Sequence, residues 1–171
     1  MAIRLRYAEL APEGYAKLVA LGHYINTGTA LGPVLLGLVY LRASQLNECE
    51  FCIDLHSAEL RHRHEPQSRI DAVAEWRESD AFTPRERAAL AWAESVTELQ
   101  QSHVSDEDFA AVNEFFQEKD LADLTIAIAN INAWNRLGVA FRMEWKAPVR
   151  RAAEKTEAEK TEAEKTEAEK A

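Results

Sequence analysis

The sequence has only two cysteines among its 171 residues, Cys49 and Cys52, and they stand three positions apart. The segment Met1–Arg6 is not followed by an apolar run, so no signal peptide is recognised and a cytoplasmic location is expected. In a reducing compartment, two cysteines at this spacing favour a catalytic or metal-binding role over a structural disulfide.

Basic clusters are also missing, since 29 acidic residues outweigh 20 basic ones and the formal net charge is −9. An acidic surface repels phosphate backbones and anionic lipids, so neither nucleic acid nor a membrane is expected as a partner. One uncharged stretch, residues 18–41, is long enough to cross a bilayer. Asn, Gly and Pro interrupt it, which predicts two helices joined by a loop instead.

Strand signals are scarce, whereas helix start signals recur along the chain, so an all-α fold of six or seven helices is predicted. Thr83 and Glu86 form a capping box around Pro84, and Ser105 and Asp120 are predicted to cap two later helices. The predicted helical ranges are 12–27, 33–46, 49–64, 68–76, 84–100, a segment after Ser105, and 121–137. The last of these is apolar on most sides and is predicted to be the central buried helix.

The chain changes character after Pro148, where the unit Glu-Lys-Thr-Glu-Ala begins to repeat. Such a segment has almost nothing to bury, and its five-residue period gives no sustained apolar seam for a coiled coil. We therefore divide the chain into a helical domain at 1–147 and a low-complexity tail at 148–171, to which no chemistry is assigned.

The most informative segment contains Cys49, Cys52 and His56, at positions i, i+3 and i+7. At about 100° of rotation per residue, these side chains share one face of a helix. If Asn47 caps that helix, both thiols lie in its first two turns, where free N–H groups stabilise a thiolate. A thiolate next to a second thiol and a proton-carrying His can reduce a peroxide and close a disulfide.

Two other interpretations of these residues are possible. Two ordinary core cysteines beside a surface histidine would fit any helical protein. Zinc could bind the three residues with His62 or His64 as a fourth ligand, although a single helix does not easily wrap a tetrahedral ion. We expect neither a metal nor another cofactor.

Three separate motifs resemble the carboxymuconolactone decarboxylase superfamily, in its AhpD-like alkylhydroperoxidase branch. They are Leu-Arg-Ala-Ser-Gln-Leu-Asn at 41–47 before the cysteine motif, Arg-Glu-Arg-Ala-Ala-Leu-Ala-Trp at 85–92, and Ile-Asn-Ala-Trp-Asn-Arg at 131–136. The resemblance implies an oligomer, often a trimer or hexamer, that reduces small-molecule peroxides and is regenerated by an external dithiol reductant. It also implies that Cys52 attacks the peroxide, Cys49 resolves the intermediate, and His56 belongs to the proton relay.

The sequence departs from that family at two positions. Gly37 stands where the family usually has the relay Glu, and Glu48 stands where it usually has a Gly before the first cysteine. Glu48 is therefore a candidate for the missing relay carboxylate, although its charge would disfavour a thiolate at Cys49. Because of Gly37, a weakly active or non-catalytic helical oligomer that senses redox state is the alternative function.

Overall fold

The computed structural model describes residues 2–144, and in this range the chain forms nine α-helices and one 3₁₀ helix but no strand. The helices are α1 (Tyr7–Leu10), α2 (Pro12–Gly28), α3 (Pro33–Leu46), α4 (Glu50–His62), α5 (Gln67–Asp71), the 3₁₀ helix (Ala72–Glu78), α6 (Pro84–Thr97), α7 (Leu99–Ser102), α8 (Asp106–Asn113) and α9 (Glu118–Phe141). The all-α prediction is confirmed. The helix predicted at 68–76 is divided into α5 and the 3₁₀ helix, and α1 and α7 are further short helices of four residues each. The predicted tail lies outside the described residues.

Helix starts follow the local sequence signals in most cases. A proline opens α2, α3 and α6, where its missing N–H is not needed. The Thr83–Glu86 capping box is present at α6, and the Ser105 side chain accepts a hydrogen bond from the Asp108 N–H at α8. The predicted cap at Asp120 is wrong, because α9 begins at Glu118 and Asp120 lies within its first turn.

The helix predicted at 84–100 is also divided. Helix α6 ends at Thr97, and Glu98 has non-helical dihedrals of −97° and 43° before α7 begins. Periodicity did not reveal this break because the apolar positions continue past it.

Helix α3 occupies the centre of the fold, where it packs against α4, α6 and α9. It is buried along almost its whole length, from Leu35 to Ser44. The prediction that α9 is the central helix is therefore wrong. Helix α9 buries one face only, because exposed residues such as Arg136 line its outer side.

Two apolar clusters flank α3. The larger one joins α3 to α2, α6, α8 and α9, and the smaller one joins it to α4, α5, the 3₁₀ helix and α6. The uncharged stretch of the sequence is divided between α2 and α3, as predicted, with a loop at 29–32. Among the helices of the described region, none is long and apolar enough to cross a bilayer.

Candidate functional site

The two cysteines lie where the chain turns from α3 into α4. Helix α3 ends with Asn47 as its C-cap, and Cys49, not Asn47, is the N-cap of α4. The predicted capping role of Asn47 is therefore wrong. Between them Glu48 has a φ of 52°, in the left-handed region that ends a helix and favours glycine. The turn places Cys52 in the first turn of α4.

Asparagine side chains fasten this turn to α9. The Asn47 amide donates to the Oδ1 atoms of Asn132 and Asn135, over 3.0 and 3.1 Å. The Asn135 amide in turn donates to the Ser44 hydroxyl, and both of these residues are fully buried. The Asn47 side chain therefore bonds to α9, and this explains why it does not cap α4.

Cys49 and Cys52 form a disulfide, with their Cα atoms 5.3 Å apart. Both are almost completely buried, at 1% and 2% exposure. Gly138 of α9 packs directly on the bridge, because a Cβ at that position would stand 2.8 Å from Cys49 Sγ and 3.5 Å from Cys52 Sγ. A glycine there lets the backbone of α9 approach the sulfur atoms.

His56 lies one turn beyond Cys52 and is held from two sides. Its Nδ1 is 2.8 Å from the Oε2 of Glu59, and the Tyr40 ring packs on the imidazole with centroids 5.1 Å apart. This hydrogen bond lowers the pKa of Glu59, against the opposing effect of partial burial. Burial, together with the charge of Glu59, raises the pKa of Tyr40, so its phenol stays protonated.

A cavity of about 530 Å³ lies beside these groups, a size suited to a small organic molecule. Its wall includes Cys52 and His56 from α4, and its remaining lining is mostly aromatic and aliphatic. That lining includes Tyr7, Tyr15, Val19, Leu36, Tyr40, Phe51, Leu55, Ile131 and Trp134. The cavity therefore offers an apolar small molecule a place beside Cys52.

Only some of the predicted site residues line the cavity. Cys52 and His56 line the cavity, whereas Cys49 lies behind Cys52 and is not part of the wall. Glu48 is exposed and lies outside the wall as well, so its relay role stays a prediction. Glu59 does line the cavity, and the sequence analysis missed it, although its position three residues after His56 places it on the same helix face.

Gly37 also lines the cavity, and Leu60 occupies the space that a side chain would need there. A Cβ on Gly37 would stand 2.8 Å from Leu60 Cδ2 and 3.1 Å from Leu60 Cγ. Leu60 is completely buried and also lines the cavity, so a side chain at position 37 would require it to change rotamer. In this structure, Leu60 thus fills the space beside Gly37.

The zinc interpretation is not supported by the position of its proposed fourth ligands. His62 lies ten residues beyond Cys52, about 15 Å along the helix, and His64 lies further still. Within residues 2–144, no three His, Cys, Asp or Glu side chains converge as metal ligands.

Comparison with known proteins agrees with this geometry. The sequence profile of the Carboxymuconolactone decarboxylase family matches residues 12–95. The uncharacterized protein YdfG of Bacillus subtilis (strain 168) is 35% identical over 140 residues, covering 82% of this chain and 95% of that relative.

Two solved structures have the same fold. A protein of unknown function from Agrobacterium tumefaciens, described in connection with the antioxidant defence protein AhpD, superposes with a TM-score of 0.81. It is 34% identical, and the match covers 85% of this chain and 99% of that one. An uncharacterized peroxidase-related protein from Ralstonia eutropha JMP134, with an alkylhydroperoxidase AhpD core, gives a TM-score of 0.70 at 26% identity, covering 81% of this chain and 74% of that one.

Proposed function

Because the chain belongs to the carboxymuconolactone decarboxylase family, in its AhpD-like branch, we propose that it is a thiol-dependent peroxidase that reduces organic hydroperoxides. The observation that carries this proposal is the apolar cavity, whose wall includes both Cys52 and His56. A disulfide with a purely structural role would not need a substrate-sized space beside one of its two cysteines.

The oxidative half of the cycle begins with both cysteines reduced. The Cys52 thiolate attacks the terminal oxygen of the hydroperoxide, the O–O bond breaks, and Cys52 becomes a sulfenic acid while an alkoxide leaves. The alkoxide takes a proton and departs as an alcohol. Cys49 then attacks the Cys52 sulfur, water leaves, and the disulfide seen in the structure forms.

The reductive half requires an external dithiol. One of its thiolates attacks the disulfide to give a mixed disulfide, and its second thiol releases the reduced enzyme and an oxidised donor. The balance over one cycle is one hydroperoxide and one dithiol consumed, and one alcohol, one water and one donor disulfide produced.

His56 and Glu59 supply the proton relay in this proposal. With Nδ1 directed to Glu59, the Nε2 atom of His56 is the one available to the thiol and the substrate. The lowered pKa of Glu59 keeps it a carboxylate at neutral pH, so it can orient the imidazole towards the thiol and the substrate. Glu59 would thereby perform from α4 the task that the family usually assigns to the position of Gly37.

Peroxide consumption in the presence of a dithiol donor tests the proposal, with Cys52→Ser and Cys49→Ser compared with the parent protein. We expect Cys52→Ser to lose catalysis by at least about 100-fold. Cys49→Ser should consume one equivalent of hydroperoxide without added thiol and accumulate a sulfenic acid that dimedone traps. Equal rates for the parent and Cys52→Ser would contradict the proposal and leave the redox-sensing alternative.

A further inference from the structure

The two ends of the cavity can be identified from the contacts between its helices. Helices α2 and α9 are antiparallel, since Tyr15 packs on Trp134 with ring centroids 5.6 Å apart and Gly22 lies next to Asn130. One end therefore contains Gly138 and the disulfide, and the other contains Gly22 and Asn130.

The length of the cavity follows from helix geometry along two of its walls. On α9, Asn130 precedes Gly138 by eight residues, which is about 12 Å along the helix axis. On α3, Pro33 precedes Tyr40 by seven residues, about 10 Å, and Tyr40 packs on His56 at the reactive end. The two walls agree that the far end lies roughly 10–12 Å from the thiols.

Asn130 is the unusual residue at the far end. Asn130 lines the cavity and is only 5% exposed, and its Oδ1, which is sealed from the cavity in this rotamer, has no hydrogen-bond partner among the described residues. The neighbouring asparagines of α9, Asn132 and Asn135, both bond to Asn47 and to further groups. Because no partner holds the oxygen of Asn130, its carboxamide can turn that oxygen towards a ligand that donates a hydrogen bond.

The rest of the wall between the two ends is apolar and aromatic, with Tyr15, Leu36 and Trp134 in the middle. A ligand that fills the cavity would place an apolar body against these side chains. Half a turn of the Asn130 carboxamide exchanges its nitrogen and oxygen, so either atom can face the ligand. A hydroxyl or an amide N–H on the ligand would satisfy the oxygen.

We propose that Asn130 forms a second polar subsite of this cavity, and that the substrate is an elongated organic hydroperoxide with a hydroxyl or amide N–H about 12 Å from its reacting oxygen. The inference rests on the proposed function for the identity of the reacting group. Asn130 is a specificity-determining residue, since it is too distant to contact the O–O bond.

Binding of unreactive alcohols tests this subsite without requiring turnover. In 1,8-octanediol one hydroxyl stands in for the reduced hydroperoxide, and the two oxygens are about 11 Å apart when the chain is extended. By isothermal titration calorimetry, the parent protein should bind the diol about fivefold more tightly than 1-octanol. Asn130→Leu, which keeps the branched shape and removes the amide, should bind both alcohols equally.

Asn113→Leu is the matched control, because Asn113 is exposed on α8 and does not line the cavity. It should keep the fivefold preference. Thermal unfolding of Asn130→Leu should be unchanged or higher in temperature, since an unpaired buried oxygen is removed. If Asn130 only supports the fold, the variant loses stability and binds both alcohols more weakly by the same factor, which overturns the proposal.

A third ligand tests whether Asn130 or a cationic side chain at the same end of the cavity selects the ligand. Leu60 packs next to Gly37 and α4 runs antiparallel to α3, so Arg63 also lies towards the far end of the cavity. If 8-hydroxyoctanoate binds the parent more tightly than the diol does, Arg63 selects a carboxylate and the proposal for Asn130 is wrong. A diol preference without peroxidase activity would instead contradict only the proposed function.

Discussion

In the proposed cycle, we expect Glu59 to matter more than any other residue after the two cysteines. Its carboxylate holds His56 Nδ1 at 2.8 Å, and the hydrogen bond keeps its pKa below the ordinary range. Glu59→Gln keeps a hydrogen-bonding side chain but removes the negative charge beside the imidazole. We expect kcat/KM for hydroperoxide to fall about tenfold, measured at pH 7 with excess dithiol.

Asp54→Asn is the control for that variant, since Asp54 is an exposed carboxylate on the same helix. It removes the same charge from α4 without touching His56, and it should keep the parent rate. An equal loss of rate in both variants would mean that the overall negative charge of α4 determines the rate, and not the contact between Glu59 and His56.

Glu48 adopts the left-handed conformation that a glycine would adopt with less strain. Glu48→Gly removes a penalty of roughly 1–2 kcal/mol but makes the unfolded chain more flexible. We expect a net gain of about 0.5–1 kcal/mol in the free energy of unfolding by urea. Asp54→Gly, in the interior of α4, should instead lose about 0.3 kcal/mol, the difference in helix propensity between Asp and Gly. A large fall in turnover for Glu48→Gly would assign the relay to Glu48.

The sequence predicted two of the residues that line the cavity, Cys52 and His56, but not the residues that support them. Cys52 and His56 can be recognised because their spacing places them on one face of a helix. Glu59 lies on the same face, so the sequence could have predicted it as well. Gly138 and Asn130 could not be found in this way. Their roles depend on how α9 packs against the cysteine turn and against α2, and no local pattern encodes that arrangement.

At the scale of elements, the critical contact is the approach of α9 to the disulfide. Gly138→Ala would improve the helix propensity of α9, but its Cβ would meet Cys49 Sγ at 2.8 Å. We expect the oxidised protein to lose about 1–3 kcal/mol of stability in urea, as overpacked cores do.

Gly14→Ala provides the comparison for this variant, because nothing lies within 4 Å of the added Cβ in α2. It should gain about 0.5–1 kcal/mol from helix propensity alone. If Gly138→Ala were stabilised by the same amount, the close packing of α9 on the sulfur atoms would be disproved.

At the scale of the whole molecule, carboxylates join helices that are distant in sequence. Glu94 of α6 accepts from Arg42 of α3 over 2.7 Å and from Trp76 of the 3₁₀ helix over 2.8 Å, and it also pairs with Arg77. Burial alone would raise the pKa of Glu94, but the hydrogen bonds from Trp76 and Arg77 and the charge of Arg42 lower it below its ordinary value. The Glu86 carboxylate, bonded to Arg69, has a lowered pKa for the same kind of reason.

These lowered pKa values fix the direction in which stability depends on pH. The unfolded chain binds protons at a higher pH than the folded one, so the stabilisation is complete above the ordinary carboxylate range and is lost as pH falls through the folded pKa values. We expect the free energy of unfolding to be level from pH 6 to 7.5 and to decline below about pH 4.5. Glu94→Gln should cost about 1–3 kcal/mol at pH 7 and make the decline shallower. An unchanged acid decline in Glu94→Gln would show that this cluster does not link the helices energetically.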